Sequence, residues 1–138
     1  MCLFLLIKSF KYLYTGEMDI ILSIKPIYAE KILKWEKLYE LRRLFTKKEI
    51  LKIIIYASDP ISRVVGEFEV EKILYESLDK LRKETKDYSC VDKKFFDEYY
   101  KWKEYWYALK IKNPIRYKEP KLITEYWKKH PPQSYYFL

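Results

Sequence analysis

The stretch from Ile20 to Arg43 reads as a strand, a proline-started helix and a second strand that ends in an acid-base cluster, and the rest of the chain is organised around it. Asp19 to Lys25 (DIILSIK) has the β-branched, apolar character of a buried strand. Lys25-Pro26 ends that strand, because a residue before proline avoids the helical region while proline itself suits the first helical position. A helix is predicted from Pro26 to about Trp35. Tyr28, Ala29, Ile32 and Leu33 form its apolar stripe, and Glu30, Lys31 and Lys34 point to solvent. Leu38 to Arg43 then alternates as a strand, with Tyr39 and Leu41 on one side and Glu40 and Arg42 on the other. Lys37 sits at the turn between helix and strand.

Further strands follow at Ile50 to Ala57 (ILKIIIYA), the most hydrophobic run and predicted to be central, and at Arg63 to Ile73. Ser58-Asp59-Pro60 separates them with turn chemistry. In the second of these strands Val64, Phe68 and Val70 face the core and Glu67, Glu69 and Glu71 face outward. Gly66 marks a bulge or a close backbone approach. Ser77 to Lys86, capped by Ser77, and Asp92 to Lys103, with Phe95, Phe96, Tyr99 and Tyr100 as its stripe, are expected to form a helical insert. Tyr105 to Lys112 returns to strand alternation and is closed by Asn113-Pro114. Pro120 to Trp127 is a connector with a short helical turn, and an aromatic strand follows Pro131-Pro132. The expected class is α+β: a small mixed β-barrel with a short helix after the first strand and a helical insert, spanning residues 18–138. Residues 1–17 are expected to be an extension, with Met18 as the natural start or the extension as a peripheral element.

With 138 residues, 15 Tyr, 7 Phe and 4 Trp, the chain can bury a core, and its composition excludes intrinsic disorder. The net charge of +8 is uneven. Glu30 to Lys52 holds eight cations against four acids, and Lys101 to Lys121 holds seven against two, with the acidic run Glu67 to Glu76 between them. This points to a basic face for phosphate-bearing partners, or to a lysine-rich solvated surface. Cys2 and Cys90 have no metal-ligand spacing, and His130 is the sole histidine, so no metal site and no cofactor are expected. Widely spaced cysteines without a secretory signal fit the cytoplasm, and no apolar run is long enough to cross a membrane.

LSIKPIYAEKIL, a Lys-x-x-Glu-x-Arg cluster, VVGEFEV, FFDEYYKWKEYWYALKI and PPQSYYFL, in that order, resemble the ASCH family, whose domain has a PUA-like β-barrel fold. The resemblance runs from about Asp19 to Leu138. The family's central motif is Gly-x-Lys-x-x-Glu-x-Arg, and here Trp35 stands at the glycine position, followed by Lys37, Glu40 and Arg42. A glycine there normally ends the helix in a left-handed conformation, so Trp35 must adopt another turn or accept strain.

The resemblance implies a part in RNA metabolism or regulation of gene expression, with single-stranded RNA or a nucleotide as partner. The ligand cleft would be lined by Lys37, Glu40 and Arg42, then by Ser23 and Lys25 of the first strand and Gln133, Ser134 and Tyr135 of the terminal motif. Lys37 reads as a phosphate-binding cation, a tuned base or a turn lysine, and Glu40 with Arg42 as ligand contacts or an ion pair closing the barrel. Trp102, Trp106, Trp127 and Tyr135 are candidates for base stacking or for core packing. Some small family members cleave acetylated cytidine with a lysine, a threonine three residues later and a glutamate. Glu40 holds the threonine position, and a carboxylate cannot replace that hydroxyl nucleophile, so this activity is not expected. Hydrolysis of another modified nucleoside or of RNA is the alternative to binding. A protein-interaction module or transcription regulator using the aromatic insert is the third reading.

Overall fold

The computed structural model describes residues 18–85, 89, 94 and 105–138. The expected extension 1–17, the helix from Asp92, Cys90 and Trp102 lie outside the described residues. β1 (Met18–Ile24) runs parallel to β3 (Ile50–Ala57), with Ile20 opposite Ile53 and Leu22 opposite Ile55. Parallel neighbours need a crossover, and α1 (Pro26–Leu33) together with β2 (Tyr39–Arg42) supplies it. Antiparallel β4 (Arg63–Ser77) and β5 (Tyr105–Lys121) extend the sheet on one side, and β6 (Tyr135–Phe137) pairs with β1 on the other. The strand order is β2-β5-β4-β3-β1-β6, and α2 (Leu78–Thr85) follows β4.

Alternation along β1 divides the interior. Ile20, Leu22 and Ile24 join Ile53, Ile55, Phe68, Leu109 and Ile111 beneath Ala29 and Ile32 of α1. Ile21 faces the opposite way and packs with Ile54, Tyr56 and Val64. β1 is thus apolar on both faces at Ile20, Ile21 and Leu22, which explains that consecutive apolar run. A third cluster joins Leu81 of α2 to Trp106 and Ala108 of β5. Among the described residues, no helix is long and apolar enough to cross a membrane.

The α+β class and mixed strand directions are those expected, but the sheet does not close into a barrel. β2 and β6 are its two edges and do not pair with each other. They span only four and three residues, and Pro131-Pro132 removes two backbone donors just ahead of β6. Side chains bridge the gap instead. The Phe45 ring lies 6.3 Å from Tyr107 of β5 and 5.7 Å from Tyr135 of β6. Two strands also outrun their expected ends. β4 absorbs Ser77, the expected helix cap, and β5 continues through Asn113-Pro114 to Lys121. Asn113 takes φ 49° where the register shifts, and its amide donates to Glu69 Oε2 at 2.6 Å, so the Asn-Pro pair makes a bulge rather than a stop.

Gly66 provides both a register shift and a close approach. A side chain there would fall 2.7 Å from Leu33 Cδ2 of α1 and closer still to the Ile115 carbonyl of β5. Helix and sheet therefore meet through the absence of a Cβ. Gly66→Ala is expected to lower unfolding free energy by about 2 kcal/mol in a urea titration, the usual scale of overpacking; an unchanged midpoint would show that α1 is not seated on this strand as described.

Candidate functional site

The end of α1 determines where the motif lysine goes. The Glu36 amide donates back to the Lys31 carbonyl at 2.9 Å and the Trp35 amide to the Ile32 carbonyl at 3.0 Å, a paired closure that needs a left-handed residue between helix and strand. Trp35 occupies that conformation itself, at φ 61°, with about half of its side chain exposed. Tryptophan has replaced glycine without replacing the turn. The Lys37 amide also returns to the Lys31 carbonyl, so the chain reverses tightly and sends the Lys37 side chain inward.

Lys37 is 1% exposed. Its ammonium donates to the Ser89 carbonyl, lies 3.6 Å from Glu40 Oε2 and stands 5.1 Å from the centroid of the Tyr28 ring. Glu40, on β2, is also buried, and its other oxygen lies 3.5 Å from Arg42 Nη1. Arg42 crosses the gap between the sheet edges. It donates to the Ser23 carbonyl of β1 at 3.1 Å and to Ser134 Oγ at 2.8 Å. Ser23 Oγ in turn donates to the Pro132 carbonyl at 2.6 Å. A carboxylate between two cations, with a carbonyl and an aromatic face, offsets the desolvation that a buried lysine would otherwise suffer.

These side chains wall a pocket of about 360 Å³. Lys25, Lys37, Glu40, Arg42, Gln133 and Ser134 all line it, and so does Ser23. Tyr135 does not; its ring packs on Phe45 and, edge-on at 5.7 Å, on Phe137. Tyr28, Arg43, Leu44 and Trp106 line the pocket as well. Tyr28 packs against the core as its place in the helix stripe predicts and also faces the pocket, and the tight reversal that brings Lys37 beside its ring has no periodic signal. Trp106 is 3% exposed and belongs to the α2 cluster, whereas Trp127, at 94% exposed, lies outside the pocket lining.

The expected basic face is partly neutralised. Arg116 holds Glu30 through two hydrogen bonds of 2.9 and 2.7 Å, and Lys110 lies 2.7 Å from Glu71. These hydrogen bonds keep both carboxyls below their ordinary value of 4.5. Lys52 lies within 4.0 Å of Asp19 and 3.5 Å of Glu67. The acidic strand β4 runs between β3 and β5, so their cations meet its carboxylates across the ladder. In the pocket lining, Lys25 and Arg43 are exposed, Arg42 is half-buried, and Lys37 and Glu40 are buried. Such a site offers cations for phosphate oxygens and a carboxylate acceptor beside donors for a planar base edge.

No protein-family model matches the chain. Among solved structures, the ASCH protein of Zymomonas mobilis superposes with a TM-score of 0.78 at 23% identity, covering 88% of this chain and 87% of that one. A serine-to-alanine mutant of the same protein gives 0.80 at 21% identity, with 88% and 89% covered. The fold is that of an ASCH domain. Among curated proteins, large ribosomal subunit protein uL22 of Ureaplasma parvum serovar 3 is 29% identical over 90 residues, or 65% of this chain. The chain spans only 29% of the length of that relative. The mixed six-stranded sheet with the helix after its first strand matches that fold.

The charge network makes a stability prediction. Glu40→Leu strands a buried ammonium and is expected to cost about 3 kcal/mol, while adding Lys37→Met is expected to recover at least half of that loss. Chemical denaturation of the two single variants and the double variant checks this. Purely additive losses would show that Glu40 is not the group that compensates Lys37.

Proposed function

We propose that this chain is an RNA- or nucleotide-binding domain whose Lys37-Glu40-Arg42 pocket takes one base or nucleotide of single-stranded RNA. The observation that carries this reading is convergence. Residues from β1, the α1-β2 turn, β2 and the segment before β6 supply cations, one carboxylate and polar donors to a single pocket at the open side of the sheet. Exposed Lys25 and Arg43 in its lining are placed to follow phosphates, while Glu40, Ser134 and Gln133 offer the mixture of acceptors and donors that a base edge requires. The pocket volume falls in the range of small-ligand sites. Likeness to an ASCH protein and to a protein named as part of the large ribosomal subunit supports an RNA setting. Cleavage of acetylated cytidine is not proposed, because Glu40 is held in ion pairs at the position a nucleophilic hydroxyl would occupy.

Fluorescence anisotropy with a labelled single-stranded RNA tests this. Affinity is expected to fall by at least about tenfold between 50 and 200 mM salt, as phosphate contacts release counterions, and Lys25→Gln with Arg43→Gln is expected to flatten that slope by about two units. Binding that ignores salt, or that the paired substitution leaves unchanged, would contradict the proposal.

A further inference from the structure

Beside the Lys37 pocket lies a second hollow of about 320 Å³. The two share Ser23, Ile24, Lys25 and Gln133 in their linings, so they adjoin. The other walls of the second hollow are Tyr56, Ser58, Asp59, Ser62, Pro131 and Pro132. Two contacts hold these walls together. The Ser58 amide donates to the Ile24 carbonyl at 3.0 Å, fastening the turn after β3 to the end of β1, and Ser23 Oγ anchors the proline pair through the Pro132 carbonyl. The prolines hold that wall in a restricted backbone conformation.

Charge sorts the two compartments. The first has Lys37, Arg42 and Arg43 around Glu40, whereas the second, apart from the shared Lys25, has a carboxylate, Asp59, among serine and tyrosine hydroxyls. A carboxylate repels a phosphate and accepts hydrogen bonds from hydroxyl groups, so the second hollow suits a sugar face rather than an anion. The two hollows adjoin, and the cation Lys25 belongs to both linings.

We propose that the second hollow is a subsite for the ribose-bearing nucleoside adjacent to the one in the Lys37 pocket, with Asp59 accepting from its 2′-hydroxyl and Lys25 facing the phosphodiester between the two. This rests on the reading of the first pocket as a nucleotide site. It makes a ribonucleic dinucleotide the smallest complete ligand, and it places discrimination between RNA and DNA in the turn after β3.

Calorimetric titration with the four ribonucleoside monophosphates, with ApA, CpC, GpG and UpU, and with the 2′-deoxy forms of these dinucleotides tests the assignment. The expected result is that the best-bound dinucleotide exceeds its mononucleotide by about tenfold or more, the worth of one hydrogen bond to a charged group plus one phosphate contact, and that its deoxy form loses most of the gain. Asp59→Ala, which removes the acceptor, is expected to bring the ribo and deoxy dinucleotides to equal affinity. Mononucleotide binding without a dinucleotide gain, or a gain shared equally by the deoxy form, overturns the second subsite and leaves the first pocket standing. Absence of binding by every probe overturns both.

Discussion

The structure depends on the burial of one ammonium group. Lys37 leaves water almost completely, and an uncompensated charge there would cost several kcal/mol. It is tolerated because Glu40, three residues on, is buried beside it, and because a backbone carbonyl and an aromatic ring complete its surroundings. The pairing requires the turn at Trp35 to be tight and β2 to begin where it does. The lysine thus ties the end of α1 to the first residues of β2, and that junction is one wall of the pocket.

Arg42 extends the same logic to the whole sheet. A closed barrel would join its edges by backbone hydrogen bonds. Here a guanidinium reaches from the end of β2 to Ser23 of β1 and Ser134 ahead of β6, while Phe45 adds apolar contact between the edges. Ser23, Arg42 and Ser134, which these hydrogen bonds join, also line the pocket. Glu40 and Arg42 form an ion pair at 3.5 Å, and both line the pocket of the open sheet.

Much of this was legible in the chain. Ile50 to Ala57 is a strand with the limits its hydrophobic run indicates, and Lys25-Pro26 starts the helix as its chemistry dictates. Gly66 combines both roles that a lone glycine in a strand suggests. The meeting of Lys37, Glu40 and Arg42 with Gln133 and Ser134 came from motif resemblance, because residues some 90 positions apart have no spacing rule. What was illegible arose from tertiary override. Asn113-Pro114 reads as a terminator but becomes a bulge, since Glu69 on the neighbouring strand holds the asparagine in its left-handed conformation. Trp35 adopts a glycine geometry because two returning amides require it there. The cationic segments look unopposed in one dimension, and the strand order places carboxylates beside them.

The most direct test of the account is the chemical accessibility of Lys37. Brief acetylation of the native protein with acetic anhydride, read residue by residue by mass spectrometry, is expected to modify exposed Lys25 and Lys34 while leaving Lys37 unmodified until the protein is unfolded in urea. Modification of Lys37 at the rate of those surface lysines, in protein that remains folded by circular dichroism, would contradict the buried charge network on which the pocket rests.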